Sequence, residues 1–391
     1  MNKKANYKKG KRREIIKILY GCGCITYSSL RMLKGETRLY TRTVRKMRDE
    51  GIVDLIKVRT EKCITLRNYD ENRLEYEPEM PNGYDEYYQQ SGLPDKKRIL
   101  NREESTSERA IRRMECFVQM KMSGVSVYPE EKKELYGYKR IEKNEVCYYT
   151  SLEIKRKGNY EDITAEENGE KKVIGSRLAG CLLSPGGVYG VYNVDDSLIE
   201  WRKYGELKMA HYIADILNNN YEPYIESNVS KVDFAVIMAS DNRIYQEIIK
   251  GEYKNKDTYI KMNIDFTYPQ MYAVPLDKNG QKMMSIMVME KWREKLNESV
   301  LSEEEMIEAA TCGIICDAKE TTAEGKEIYK LLFCIPDLTR LKHFLVQTQL
   351  RPDKSKYQIY CFDYQLEMLA GLVGEYAEVY SMPIDEYLKE I

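Results

Sequence analysis

Residues 34–51 read KGETRLYTRTVRKMRDEG. Thr37 is placed to cap a helix, and Gly51 falls where a left-handed residue closes one. Tyr40, Val44 and Met47 recur at helical spacing and should face a core, while Arg38, Thr41, Arg42, Arg45 and Arg48 share the opposite side at intervals of three and four. An arginine stripe backed by an apolar one, on a helix this short, suits a major groove. Guanidinium forks match guanine edges and phosphates in a way that lysine does not. The stretch predicts a recognition helix.

The flanks agree with that assignment. REIIKILYGCG places Ile15, Ile18 and Leu19 on one face of a first helix, and ITYSSLRMLKG predicts a second, with Thr26 as its cap, Leu30 and Leu33 inward and Gly35 at its end. After the third helix, IVDLIKVR and CITLR are β-prone runs joined by Thr60, Glu61 and Lys62, which predicts a hairpin wing carrying Arg59, Lys62 and Arg67. Three helices and a hairpin make a winged helix-turn-helix. The same fold serves protein contacts in some proteins, and charge decides between the two uses. Residues 1–70 hold 19 Lys and Arg against 7 Asp and Glu, a formal +12, and the remainder carries −13. A basic head on an acidic body is the electrostatic footprint expected for nucleic acid.

A length of 391 residues implies two or three domains with ample core. No apolar run approaches the roughly 20 residues that a membrane span needs, so a soluble, cytoplasmic protein is expected. The first residues, MNKKANYKKGKRRE, lack the apolar core of a signal peptide and predict a flexible basic arm that follows phosphates. The ten cysteines are scattered through apolar runs. Cys22 with Cys24, and Cys312 with Cys316, are not joined by a second zinc-type pair, so reduced thiols are expected.

Beyond the head, residues 71–105 are polar and proline-punctuated, which predicts a linker. Residues 106–225 predict a helix (SERAIRRMECFVQMKMSG), then a strand over YYTSLEIKR, three meandering strands (SRLAGCLLS, GGVYGVYNV and SLIEW) and the helix RKYGELKMAHYIADIL. Residues 226–391 alternate strands with helices: VDFAVIMA, NRIYQEIIKG, QMYAVP, GQKMMSIMVMEKWREKL, CGIICDA, IYKLLFCI, LTRLKHFLVQTQL, YQIYCF, QLEMLAGLVG and EVYSM. That alternation implies a largely parallel sheet in a mixed α/β body. Whether the body is one domain or two stays open at this point.

Only two histidines exist, His211 and His343, too few for the histidine-metal cluster of a tyrosine relaxase. No phosphate-binding Gly-x-x-x-x-Gly-Lys loop appears. A two-metal nuclease survives, because it needs only clustered carboxylates and a lysine, with Mg2+ or Mn2+. Acidic-x-Lys recurs nine times, so position has to discriminate. The candidates are Glu206 with Lys208 at a helix start, Glu200 with Arg202 on the third meander strand, Asp195 and Asp196 in the turn before it, and Glu153 with Lys155 on the earlier strand. Asp317, Asp337 and Asp363 sit at strand ends, where open α/β sheets often build sites.

With the head and the block SRLAGCLLSPGGVYGVYNV…EWRKYGELK both in view, the chain resembles the replication-relaxation proteins of Gram-positive plasmids and integrative conjugative elements. The resemblance covers the winged helix and the meander. It implies a restriction-endonuclease-like core behind the winged helix, and some relatives are thought to nick transfer origins without a tyrosine link. It also implies an acidic residue opening the second meander strand and a Glu-x-Asp pair on the third. Here Asn193 is the polar residue of the second, and Glu200 with Arg202 stand on the third. The expectation is a sequence-specific binder of double-stranded DNA acting in replication or transfer initiation, with a nuclease-like but inactive body, as a homodimer or with other transfer or replication proteins. A transcriptional regulator whose body dimerises or takes an effector, and a metal-dependent nickase, are the alternatives.

Overall fold

The computed structural model describes residues 3–58, 61–67, 104–155, 176–251, 261–264, 267–306, 314–350, 356–375 and 377–390. The protein is mixed α/β and divides into two compact units. The first comprises residues 1–174, 178–183 and 212–230, and the second residues 175–177, 184–211 and 231–391. The expected linker at 71–105 lies almost wholly outside the described residues. Among the described residues, no helix is long and apolar enough to cross a membrane.

The first unit opens with α1, Lys3–Cys22. The basic segment expected as a flexible arm is therefore helical from Lys3, because it continues the helix that Ile15, Ile16, Ile18 and Leu19 bury. Strand β1 (Ile25–Thr26) follows. The second expected helix is a single 3-10 turn, Ser29–Arg31. Its capping expectation is corrected: Ser28 is the N-cap and no side chain caps the turn. Thr26 lies two residues earlier and accepts the Ser29 N–H at 3.1 Å as a local turn bond, while Leu30 and Leu33 point inward. Hydroxyls that bond locally compete with the helical ladder, so the segment TYSS closes a turn and goes no further.

Helix α2, Thr37–Asp49, buries Tyr40, Val44 and Met47. Each buried side chain is worth about 1.5–3 kcal/mol. The capping expectation is corrected here: Glu36 is the N-cap, no side chain caps the end, and Thr37 is the first helical residue. Gly51, at φ 78°, closes the helix as expected. The hairpin β2 (Val53–Val58) and β3 (Glu61–Leu66) follows, and β1 joins it antiparallel to β3. Glu61 and Lys62 are strand residues paired with Val58 and Lys57, so the turn lies earlier than expected. Arg59 lies outside the described residues.

Helix α3, Glu104–Met122, packs on α1. Gly21 is needed at that crossing, since a Cβ there would come within 2.8 Å of the Phe117 ring. Lys121 of α3 also pairs with Glu14 of α1 at 2.8 Å. Strand β4 (Cys147–Thr150) pairs antiparallel with β5 (Gly180–Ser184). Between them, Ser151–Lys155 forms a short helix, α4, so the expected long strand over YYTSLEIKR ends at Thr150.

In the second unit, β6 (Gly187–Asp195), β7 (Phe234–Ala239) and β8 (Gln270–Pro275) are parallel. The third meander strand is corrected: among the described residues SLIEW contributes only an isolated bridge, Glu200 to Lys261. Two local facts explain this. β6 ends in a bulge with Asp195 at φ 53°, and β7 takes the place along β6 that a third meander strand would use. Helix α5, Lys203–Asn220, starts in this unit and is followed by α6, Glu222–Ser227.

Helix α7, Arg243–Lys250, connects β7 and β8. The expected single helix over 280–296 is two, α8 (Lys278–Met287) and α9 (Trp292–Val300), with Lys291 left-handed between them. The break sets Trp292 in the core, where its indole N–H donates to the Tyr189 hydroxyl at 2.9 Å. A second sheet runs β12 (Glu378–Met382), β11 (Tyr357–Phe362), β10 (Glu327–Leu332), β9 (Ala318–Thr321), parallel except for the β9 edge. Of CGIICDA, residues 314–317 are not strand and only Ala318 is, as the first residue of β9, while Cys312 lies outside the described residues. Helices α10 (Leu338–Leu350), α11 (Leu366–Val373) and α12 (Ile384–Glu390) complete the unit.

One tyrosine pattern recurs on four of these strands. Tyr329, Tyr360 and Tyr380 donate their hydroxyls to the side chain two residues earlier, Glu327 at 2.6 Å, Gln358 at 3.1 Å and Glu378 at 2.6 Å. Tyr272 does the same to Gln270.

Candidate nucleic-acid interface and the carboxylates of the body

The inner face of α2 is fixed by a buried ionic cluster. Lys11 reaches the Lys34 carbonyl at 2.6 Å and the Tyr40 hydroxyl, and Tyr40 donates to Glu14 at 2.5 Å. Burial works to raise the Glu14 carboxyl, but hydrogen bonds from Lys121 and Tyr40 outweigh it and hold the pKa below the ordinary value. The cluster orients α2 so that its other side meets solvent.

On that side Arg38, Arg42 and Arg45 are exposed, and no described residue forms an ion pair or hydrogen bond with them. Arg48 is exposed too, 3.4 Å from Asp49. Thr41 is half-buried, and its hydroxyl is turned back onto the Thr37 carbonyl at 3.1 Å, which leaves it the least available member of the set. Lys62 is exposed on the hairpin, and Arg67 pairs with Asp54 at 2.7 Å.

Register adds Lys57, which the sequence alone did not single out. It stands directly opposite Lys62 across the hairpin, both exposed. Like charges facing one another across a ladder are destabilising unless something anionic meets them. Lys46 is also missed by helical spacing, yet its side chain is 74% exposed, 3.4 Å from Glu50.

The carboxylates of the body behave differently. Glu200 lies between two guanidinium groups, Arg177 at 2.7 Å and Arg202 at 2.6 Å. Burial is the largest single influence and raises its carboxyl, but the hydrogen bonds from Arg202 and Arg177, with their charges, together bring it below the ordinary value. Glu206 is fully buried. It accepts from the Ser176 hydroxyl at 2.8 Å, the Arg177 N–H at 2.7 Å and the Tyr192 hydroxyl at 2.8 Å. Tyr192 in turn meets Tyr268 at 2.9 Å. Arg177 thus links the two glutamates, a role that nothing in its spacing announces.

Lys208 is exposed, half a helical turn from Glu206, so the pair does not share a face. Asp195 accepts from the Ser240 hydroxyl at 2.7 Å, and Asp196 is exposed. Glu153 lies on helix α4 and is held by Lys132 at 2.7 Å and the Thr150 N–H at 2.7 Å.

Of the strand-end aspartates, Asp317 pairs with Arg340 at 2.7 Å, Asp337 accepts the Thr339 N–H at 2.9 Å at the start of α10, and Asp363 is exposed. Burial pushes Asp337 up to about 6, against the opposing Arg340 N–H and its charge. Among the described residues, no three His, Cys, Asp or Glu side chains are grouped so as to hold a metal ion. Asp195, Asp196, Glu200 and Glu206 therefore do not fit a Mg2+ or Mn2+ centre, which needs several unencumbered oxygens at about 2.0–2.6 Å.

Searches against family models, curated proteins and solved structures gave no match.

Proposed function

We propose that the chain is a cytoplasmic, sequence-specific binder of double-stranded DNA belonging to a mobile genetic element, acting in plasmid or conjugative-element replication or transfer initiation. In this reading residues 3–67 are a winged helix-turn-helix whose middle helix has shrunk to a 3-10 turn. α2 enters the major groove, and the β2–β3 hairpin lies along the backbone. The body has the ancestry of the replication-relaxation proteins, with a restriction-endonuclease-like core that no longer cuts.

One observation carries the reading. Arg38, Arg42 and Arg45 stand side by side on an exposed helix face with no carboxylate partner among the described residues, while the helix beneath them is locked by buried residues. Elsewhere in the chain arginines find partners, as Arg177, Arg202, Arg243 and Arg340 do. Three unpartnered guanidiniums in one row repel one another by a few tenths of a kcal/mol per pair, a cost that a polyanion laid along them would relieve.

Selection of bound sequences from a random duplex library tests this directly. A single enriched motif is expected, with affinity falling steeply as salt rises. Recovery of no motif, with duplex affinity equal for all sequences, overturns the sequence-specific role. Incubation with supercoiled plasmid and Mn2+ should leave the plasmid uncut.

A further inference from the structure

The hydrogen-bonding chemistry on the outer side of α2 is one-sided. The helix holds no Asn and no Gln, the two amides that grip adenine at N6 and N7 together. Its two exposed-side threonines have no proton left to give. Thr41 donates its hydroxyl to the Thr37 carbonyl at 3.1 Å, and Thr43 donates to the Leu39 carbonyl at 2.9 Å. Lys46 and Arg48 each lie beside a carboxylate, Glu50 and Asp49. Arg38, Arg42 and Arg45 are left, exposed and without an ion pair or hydrogen bond among the described residues.

A guanidinium fork only donates, and guanine is the base whose major-groove edge sets two acceptors, N7 and O6, side by side. Adenine offers one acceptor beside a donor, and thymine one acceptor beside a methyl group. Either would leave half of each fork empty. Glu36, the N-cap, is exposed with no described partner for its carboxylate. As an acceptor it suits the cytosine amine, the other half of a G·C pair.

Spacing sets the extent of what is read. Arg38 and Arg42 are about 6 Å apart along the axis, and Arg42 and Arg45 about 4.5 Å. Base pairs lie about 3.4 Å apart, so a helix following the groove carries the row across about three steps. We infer that the duplex site read by α2 is a block of about four base pairs dominated by G·C, with Arg38, Arg42 and Arg45 each forking onto a guanine. The guanines are drawn from either strand, since the major groove shows both edges. The inference rests on the proposed reading of duplex by α2 and names what is read there.

The test uses the full chain and the motif selected from the random duplex library, with affinities measured by fluorescence anisotropy. The enriched positions should be mostly G·C pairs. Replacing one of those guanines by deazaguanine, which lacks N7 but keeps its pairing and its phosphate, should weaken binding about five-fold to one-hundred-fold. In Arg42→Ala, and likewise in Arg45→Ala, one guanine position should lose that sensitivity while the others keep it. The slope of log affinity against log salt should hold in both variants, whereas loss of a phosphate contact lowers it by about 0.9. Both positions are exposed, and a thermal midpoint equal to the parent's establishes that each variant is folded. A selected motif of A·T pairs overturns the inference while sequence-specific binding stands, and so does full affinity for the deazaguanine duplexes. A slope that falls by about 0.9 in each variant overturns it too, because the arginines then hold only phosphates. Recovery of no motif removes the reading of α2 and this inference together.

Discussion

The outer face of α2 and the Glu200–Glu206 region both concentrate charge, and they treat it in opposite ways. On α2, Arg38, Arg42 and Arg45 are exposed with no described partner, while the residues beneath them are buried. Around Glu206 each carboxylate oxygen already has a donor, and Glu200 has two guanidiniums. Charge left open is available to a ligand, whereas charge closed within the chain belongs to its stability. Acidic residues near a helix start look alike in a sequence whether they are open or closed. Only partners tell them apart.

The sharpest way to break that contrast is Glu206→Ala. Removing the carboxylate strands the Ser176 and Tyr192 hydroxyls and the Arg177 N–H, and should cost roughly 3 kcal/mol or more of unfolding free energy in a urea titration. An unchanged midpoint would mean that the charge is not structural after all. On the open side, Arg42→Ala and Arg45→Ala should each lose about 1–3 kcal/mol of specific duplex binding if they read bases. Their stability should stay within about 0.5 kcal/mol of the parent. Truncating the first helix is a poor substitute for these variants, because Lys11 belongs to the buried cluster under α2.

Titration extends the comparison to pH. Glu14 has a depressed pKa, so its stabilising contribution is present above its unfolded value, near 4.5, and is lost as pH falls through the folded one. Glu14→Gln should flatten the acid limb of the stability curve. Asp337 has the opposite sign. With the folded value raised to about 6, its contribution is full below the ordinary 3.8 and is lost as pH rises through 6. Asp337→Asn keeps the acceptor at the start of α10 and should remove that loss, seen as a smaller decline in denaturation midpoint between pH 4 and 7. The smallest effect expected is at the hairpin. Lys57→Glu relieves the clash with Lys62 and should stabilise by about 0.2–1 kcal/mol, yet weaken duplex binding and its salt dependence. A variant that gains stability while losing binding would mark Lys57 as a ligand-facing charge.

Much of this was legible in the sequence, for definite reasons. Helix α10 and strands β11 and β12 coincide with the runs LTRLKHFLVQTQL, YQIYCF and EVYSM, since local propensity and apolar period agree there. The core of α2 and its closing Gly51 followed from the 3.6-residue period and from the need for positive φ. Where the reading failed, a tertiary fact intervened. SLIEW has strand composition but, among the described residues, pairs only through the Glu200–Lys261 bridge, and 280–296 has helical composition but must turn at Lys291 to bury Trp292. The arginine stripe needed only spacing. Lys57 needed a strand register, and Arg177 needed the fold of a loop, which no spacing encodes.

The tethered tyrosines bear on which sequences the sheets of the second unit can tolerate. A phenol buried without a partner is expensive, and a chain with 33 tyrosines and 6 phenylalanines meets that problem repeatedly. At Tyr272, Tyr329, Tyr360 and Tyr380 the acceptor sits two residues back on the same strand, so the hydroxyl needs no neighbouring strand to be satisfied. Of the four, Tyr272 and Tyr329 are buried, and their rings are covered with the hydroxyl satisfied from within the same strand, whereas Tyr380 stays 43% exposed. Burying those two rings therefore asks no acceptor of a neighbouring strand, which frees the cross-strand positions beside them from any need to match a phenol.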